Sequence, residues 1–134
     1  MGITKRVVLI GGAILLASCA GNDRRMSHGA EIPSAVGDVR FQPMGEDGLA
    51  IDLRVRNLRE PEELIPPGYA YVAWVQDSRD AAPRNVGVLS LNADLSGELR
   101  TLTPLAFGEL FVTAEAAADV ERPTGRRLLW TSRD

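Results

Sequence analysis

Cysteine and histidine are almost absent from this sequence. The 134 residues contain one cysteine, Cys19, and one histidine, His28. A single cysteine excludes a disulfide within the chain, and the two residues together are too few for a zinc site of the Cys/His type. His28 lies in a polar stretch where little order is expected, so we predict an exposed bystander rather than a catalytic base. The sequence therefore predicts no metal and no cofactor.

Basic charge is also scarce. Lysine and arginine total 15 against 18 acidic residues, and the net charge is -3. Residues 1–18 hold two bases and no acid, so their removal would leave a net charge of -5. Beyond residue 18, adjacent bases occur only at Arg24-Arg25 and Arg126-Arg127. Because attraction to phosphates requires a basic face, nucleic acid is not an expected partner.

The apolar runs in this sequence are short. The longest, residues 7–17, has 11 residues and follows Lys5-Arg6. A helix of that length covers about half of the ~30 Å hydrocarbon core of a bilayer, since each residue adds about 1.5 Å. A charged start followed by a short apolar run is instead typical of a secretory signal peptide.

The apolar run ends in Leu16-Ala17-Ser18-Cys19, which is an aliphatic residue, two small residues and a cysteine. This order resembles the lipobox of bacterial lipoprotein precursors. The resemblance implies cleavage between Ser18 and Cys19 and attachment of lipid to the Cys19 thiol. Two or more acyl chains would then hold the protein on a cell membrane or outer membrane, facing the periplasm or the exterior. The alternatives are a buried core cysteine and ordinary signal cleavage near Ala20.

Sequence character divides the chain into three parts. Residues 1–18 are the predicted signal peptide, residues 19–34 the lipidated cysteine and a flexible tether, and residues 35–134 the β-sandwich domain. The tether is predicted because residues 20–34 are polar and show no hydrophobic periodicity. A flexible segment of ~15 residues has a reach of about 20 Å, which would hold the domain clear of the lipid headgroups.

The domain consists of short runs of branched and aromatic residues, separated by Pro, Gly, Asn and Asp. Ile51, Leu53 and Val55 alternate with charged residues, which is the period-two pattern of a half-buried strand. Residues 69–75 are apolar throughout and predict a central strand covered on both faces. A helical turn at residues 114–119 is a competing interpretation. Seven strands are predicted in all, around residues 39–41, 51–55, 69–75, 86–91, 99–103, 110–115 and 127–131.

These strands predict an all-β fold: a two-sheet antiparallel sandwich, immunoglobulin-like, with about seven strands. The usual disulfide between the sheets is impossible with one cysteine. The core is therefore expected to combine aliphatic residues with the aromatic side chains of Tyr71, Trp74, Phe111 and Trp130.

A set of short motifs follows a fixed order through the second half of the chain. The motifs are Gly68-Tyr69, Trp74-Val75, Val86-Gly87-Val88-Leu89, Gly97, Phe111-Val112-Thr113-Ala114-Glu115 and Pro123-Thr124-Gly125. In this order they resemble the extracytoplasmic C-terminal domain of the anti-sigma-K factor family. The resemblance implies a sandwich fold and an extracytoplasmic setting. It does not imply anti-sigma activity, because the zinc-binding helical domain and the transmembrane helix of that family have no counterpart in this sequence.

Two polar segments are candidate binding surfaces, because sandwiches commonly place recognition on their loops. One is the acidic segment, residues 60–63. The other is the charged loop, residues 76–84, with the side chains of Asp77, Arg79, Asp80 and Arg84. We expect a non-catalytic binding or sensing module that is anchored in the membrane by its lipid and contacts an envelope protein or polymer. The alternatives are a structural subunit of an envelope assembly and, for the two segments, merely solvated connections.

Catalysis is the least favoured function. Paired carboxylates act as acid and base in glycoside hydrolysis, and Glu109 with Glu115 or Asp94 with Glu98 would be such pairs. With 18 acidic residues in the chain, pairs of this kind arise by chance. None of them lies beside a glycine-rich or aromatic pattern typical of a sugar subsite. We therefore predict no catalytic residues, with a small hydrolase as the remaining alternative.

Overall fold

The computed structural model describes residues 22–64, 67–78, 80–104 and 108–131. These residues form ten strands and two 3-10 turns, Gly45–Asp47 and Pro61–Glu63. In this part of the chain no helix is long and apolar enough to span a membrane. The strands are β1 (Asn22–Arg25), β2 (Ser27–His28), β3 (Val36–Pro43), β4 (Leu49–Arg56), β5 (Ala70–Gln76), β6 (Arg84–Val88), β7 (Ser90–Leu91), β8 (Gly97–Thr103), β9 (Glu109–Glu115) and β10 (Leu129–Trp130).

The strands pair antiparallel in two five-stranded sheets. The first sheet has the order β1-β3-β4-β8-β7, and the second has the order β2-β10-β9-β5-β6. When β1 and β2 are set aside, the first sheet follows the order A-B-E-D and the second the order G-F-C-C′ of the immunoglobulin fold. The prediction of an all-β, two-sheet, immunoglobulin-like sandwich is therefore confirmed. The competing helical turn is absent, because residues 114–119 end β9 and continue into a turn.

The described strands number ten rather than seven, partly because the strand predicted at residues 86–91 crosses between the sheets. It divides into β6, on the edge of the second sheet, and β7, on the edge of the first. Leu89 lies between them, is buried in the core, and donates its backbone N–H to the carbonyl of Tyr71 at 2.9 Å. Gly87 has a φ of +139°, a conformation that residues with a Cβ rarely adopt.

The structure corrects the predicted tether over its described part. Residues 22–28 form β1, which pairs with β3, and β2, which pairs with β10, so this segment also crosses between the sheets. Met26 at the crossing and Ile32 after it are buried in the core. His28 is exposed, as predicted, but it is ordered within β2. The segment lacks a hydrophobic alternation because Arg24, between the outward-facing Asp23 and Arg25 of β1, is itself charged and lies with its guanidinium 6.0 Å from the centre of the Phe41 ring.

The main core lies between the two sheets and confirms the alternation predicted for β4. Ile51, Leu53 and Val55 are buried there, together with Tyr71 from β5. The Tyr71 hydroxyl donates a hydrogen bond to the carbonyl of Arg59 at 2.6 Å, which satisfies its one buried donor. Full burial of a large apolar side chain contributes about 1.5–3 kcal/mol, so residues of this kind replace the missing disulfide as the main source of stability.

A second, smaller cluster covers the outer face of the second sheet. All seven residues of β5 are buried, as predicted for a strand covered on both faces. Trp74 and Phe111 alternate with the inward-facing residues of their strands, so they lie on this outer face and not in the main core. Val120 and Trp130 pack against them. The β9–β10 connection therefore folds over the outer face of the second sheet.

Candidate functional site

The predicted lipidation site lies just before the first described strand. Ser18 and Cys19 are outside the described residues, which begin with Asn22. Asn22 is the first residue of β1 and pairs with Phe41, close to the end of β3. A lipid on Cys19 would therefore be attached close to one particular end of the sandwich.

Each end of the sandwich carries one set of connections between strands. We call the end where β1 begins the proximal end, and the other the distal end. β1 begins opposite Phe41, so the β3–β4 connection is proximal. Thr103 at the end of β8 pairs with Leu49 at the start of β4, which makes the β8–β9 connection proximal as well. The β5–β6 connection shares this end, since Gln76 pairs with Glu109 at the start of β9.

The two candidate binding surfaces lie at opposite ends. The acidic segment precedes β5 and is distal, whereas the charged loop follows β5 and is proximal. Asp77 and Asp80 are exposed in the charged loop, and Arg84 is exposed at the start of β6. Arg79 lies outside the described residues. The structure thus places Asp77, Asp80 and Arg84 on one connection and separates them from the acidic segment by the length of β5.

The charged loop is held at its base by Gln76. The side-chain Nε2 of Gln76 donates to the carbonyl of Ala81 at 2.8 Å, and its Oε1 accepts a hydrogen bond from Arg127 at 3.0 Å. The guanidinium of Arg127 also pairs with Glu109, and its Cζ lies 4.2 Å from the centre of the Phe111 ring. Because Gln76 and Glu109 are both buried, this network ties the start of the loop to the second sheet.

The acidic segment is held by its backbone and presents its carboxylates to solvent. Pro61 is buried, and its carbonyl accepts a hydrogen bond from the backbone N–H of Gly68 at 2.8 Å. Glu62 and Glu63 are exposed, and the Glu63 Oε2 lies 4.0 Å from a guanidinium nitrogen of Arg59. An exposed pair at this distance contributes little to stability. The two carboxylates are therefore accessible to a partner.

Glu115 is buried on the outer face of the second sheet at the end of β9. Its carboxylate accepts hydrogen bonds from the hydroxyls of Thr113 and Thr124, each at 2.5 Å, and from the backbone N–H of Gly125 at 3.2 Å. The Thr113 hydroxyl in turn accepts from the Trp74 Nε1 at 2.9 Å. Burial raises the pKa of Glu115, but these hydrogen bonds outweigh it and bring the pKa below its ordinary value. Glu115 thus fastens the β9–β10 connection over Trp74.

The structure does not bring the first candidate carboxylate pair together. Glu109 and Glu115 lie at opposite ends of β9, so their backbones are ~20 Å apart at ~3.3 Å per residue. Carboxylates that act together on a glycosidic bond are about 5–10 Å apart. Each of the two also has a structural partner already.

Asp94 and Glu98 of the second pair line the same open depression, which has a volume of about 420 Å³ and also contains Arg54 and Arg56. Asp94 belongs to the β7–β8 turn, where its Oδ1 accepts from the Ser96 hydroxyl at 2.7 Å and from the Ser96 backbone N–H at 3.1 Å. These hydrogen bonds lower the pKa of Asp94, so it stays ionised. An ionised Asp94 that caps a turn is suited to holding the turn and not to donating a proton.

Sequence reasoning missed a charge lattice on the outer face of the first sheet. Residues of alternating sign pair across four neighbouring strands, so that each has an oppositely charged neighbour. The Arg40 Nε lies 2.7 Å from Asp23, and the Arg25 Nε lies 2.9 Å from Asp38. The two rows of the lattice are Asp23, Arg40, Asp52, Arg100 and Arg25, Asp38, Arg54, Glu98.

The lattice is a neutral surface, since each row holds two acids and two bases. An open depression of about 320 Å³ lies within it, lined by Asp23, Arg40 and Asp52 among others. The charged residues that alternate along β4 are the one sequence signal for this face. This alternation indicates a solvated face. It does not reveal which strands pair with β4, because those pairs join residues far apart in the sequence.

Neither the grouping of the described side chains nor comparison with known proteins points to a further site. Within the described ranges, no three His, Cys, Asp or Glu side chains are grouped as a metal ion would require. No family model matches this chain, and no curated protein matches it significantly. Functional interpretation therefore depends on the arrangement of the residues of this chain alone.

Proposed function

We propose that this protein is an exported lipoprotein, held on a bacterial membrane by lipid on Cys19, and that its sandwich is a non-catalytic binding or sensing module. The observation that carries the proposal is the position of Leu16-Ala17-Ser18-Cys19 directly before β1. A lipid there would attach at the proximal end and leave the distal end facing the periplasm or the exterior. The extracytoplasmic setting implied by the anti-sigma-K resemblance agrees with this location and stays a prediction.

The distal end is the proposed contact surface. It carries the exposed carboxylates of Glu62 and Glu63, and in the same connection Tyr69 is 72% exposed. Tyrosine is enriched at protein interfaces, because its ring supplies apolar area and its hydroxyl supplies a hydrogen bond. The negative charge beside it favours a partner with basic groups, either an envelope protein or an envelope polymer.

Three of the four carboxylates in the candidate catalytic pairs have structural roles, which supports a non-catalytic module. Glu115 fastens the β9–β10 connection, Glu109 pairs with Arg127, and Asp94 holds the β7–β8 turn. A general acid needs a carboxyl that is protonated near neutral pH. The pKa values of Glu115 and Asp94 are lowered, so both carboxylates are ionised near neutral pH and do not meet this requirement.

Crosslinking of the lipidated protein in native membranes tests the proposal. The Glu62→Gln/Glu63→Gln variant removes the distal charge, and the Asp77→Asn/Asp80→Asn variant is the matched control at the proximal end. We expect a reproducible partner with the wild type and the control, and a several-fold loss with the distal variant. If the wild type yields no reproducible protein or polymer, the binding proposal fails. A partner lost only with the control would move the contact surface to the charged loop.

A further inference from the structure

The folded part of the chain begins very close to the proposed lipid. β1 pairs with β3 from its first residue, Asn22, which is three residues after Cys19. The strand is held by the ion pairs of Asp23 with Arg40 and of Arg25 with Asp38, and Met26 follows it into the core. The segment expected to act as a tether is therefore largely part of the sandwich.

The remaining link is short compared with the domain. Three residues span at most ~3.3–3.6 Å each, so Cys19 can lie no more than about 11 Å from the start of β1. The two ends of β4, Leu49 and Arg56, alone are about 23 Å apart. If the distal end faced the bilayer, the start of β1 would lie farther from the anchored Cys19 than the link can reach. The distal end therefore cannot face the bilayer.

We propose that the proximal end of the sandwich lies against the headgroups of the bilayer in which its acyl chains are inserted. This inference rests on the lipidation proposed above. The β3–β4 connection and the charged loop then face the lipid surface, and the acidic segment and the β7–β8 turn face away from it. The charged loop is consequently screened from large soluble partners, whereas the distal end is open to them.

The short link, and not electrostatic attraction, holds the proximal end against the lipid headgroups. The exposed charges described at the proximal end include the acids Glu46, Asp77 and Asp80 and the base Arg84. An anionic headgroup layer repels this acidic excess, and a membrane surface attracts a protein electrostatically only through basic groups. The domain without its lipid is therefore expected to leave vesicles of either zwitterionic or anionic lipid unbound.

Quenching by labelled headgroups measures this orientation. The lipidated full chain is reconstituted in phosphatidylcholine vesicles that contain a lipid with a quencher on its headgroup. A thiol-reactive fluorophore is placed at Ala82→Cys in the charged loop or at Ala93→Cys in the β7–β8 turn, both of which are exposed. Cys19 does not react, because its thiol is acylated. We expect quenching to be several-fold stronger at residue 82 than at residue 93.

The control lengthens the link. An insertion of about ten Gly/Ser residues between Ala20 and Gly21 adds a flexible reach of roughly 17 Å and should make quenching at the two positions nearly equal. Equal quenching with the native link, in protein whose mass shows the acyl chains, would overturn the orientation and leave the lipid anchor intact. A mass without acyl chains would instead overturn the anchor itself.

Discussion

At the residue scale, Glu115 links strand β9 to the β9–β10 connection on the outer face of the second sheet. Its carboxylate accepts hydrogen bonds from Thr113 on the strand and from Thr124 and Gly125 in the β9–β10 connection. Hydrogen bonds to a charged group contribute about 1.5–3 kcal/mol, and a buried donor without an acceptor costs a similar amount. The stability of the cover over Trp74 therefore depends on the ionised form of one side chain.

The Glu115→Gln variant keeps the shape of this side chain and removes its charge. One of its two acceptor positions becomes an amide that cannot accept, so we expect the free energy of unfolding to fall by about 2–3 kcal/mol. Urea unfolding at neutral pH measures the loss. Glu121→Gln is the matched control, because Glu121 is exposed in the same connection and its change should stay within about 0.5 kcal/mol. Equal unfolding midpoints for the two variants would contradict the role of Glu115.

The same carboxylate gives the stability of the fold a pH dependence. The pKa of folded Glu115 is below its ordinary value of 4.5, so its contribution is fully present above that pH. It is lost as the pH falls through the lower folded value, where the carboxylate takes up a proton. The difference in unfolding free energy between wild type and Glu115→Gln should be constant above about pH 6 and shrink on acidification. A difference that grows below pH 4.5 would contradict this assignment.

Tyr71 titrates at the other end of the pH scale. Burial raises its pKa to about 12. A raised pKa means that its contribution is fully present below the unfolded value of about 10 and is lost as the pH rises through the folded value. Tyr71→Phe should lower stability by about 0.5–1.5 kcal/mol at neutral pH and weaken the decline between about pH 10 and 12. Urea unfolding of Tyr71→Phe against the exposed control Tyr69→Phe measures both effects.

At the element scale, the two crossing segments join the sheets on opposite edges. β1 and β2 make one crossing, with Met26 between them, and β6 and β7 make the other, with Leu89 between them. Exposed strand edges invite pairing with other chains, and a strand that continues into the second sheet shortens each such edge. The crossings are thus expected to contribute to solubility as well as to stability.

Removal of the first crossing tests its contribution. A chain that begins at Ala35 lacks β1, β2 and the buried side chains of Met26 and Ile32, whereas a chain that begins at Asn22 retains them. Loss of a buried side chain of this size typically costs about 2–5 kcal/mol, so the shorter chain should unfold at much lower urea concentration or aggregate. If residues up to 34 were only a tether, both chains would unfold at the same concentration.

The second crossing depends on Gly87. A Cβ at this position would lie 2.9 Å from the Leu99 Cδ1, and the φ of +139° is itself unfavourable for alanine. Gly87→Ala should therefore destabilise the fold by about 1–3 kcal/mol in urea unfolding. Gly45→Ala is the control, since its φ is also positive but nothing lies within 4 Å of its Cβ. A larger loss for Gly45→Ala than for Gly87→Ala would contradict the close approach.

At the scale of the whole molecule, local patterns were enough to predict the architecture. The alternation of Ile51, Leu53 and Val55 and the unbroken apolar run at 69–75 each identify a strand and its degree of burial, and both are confirmed. Local patterns could not reveal β1, because Asp23 and Arg25 acquire their partners through pairing with β3. Nor could they place Trp74, because both faces of its strand are covered.

The candidate surfaces show the same limit. Composition identified the acidic segment and the charged loop as polar connections, and the described residues Asp77, Asp80, Glu62 and Glu63 are exposed. Their separation follows from the direction of β5 between the two ends, which becomes known only when the sheets are assembled. Membrane orientation depends on that separation together with the position of β1.

Metabolic labelling with a clickable fatty acid tests the central claim most directly. The wild-type chain should incorporate the label and appear in the membrane fraction, and its mass should show loss of residues 1–18. Cys19→Ala should incorporate none and retain the signal peptide or be cleaved elsewhere, while Ser27→Ala, which keeps the lipobox, serves as the control. An unlabelled wild type, or a Cys19→Ala chain that is labelled and processed like it, would contradict the account.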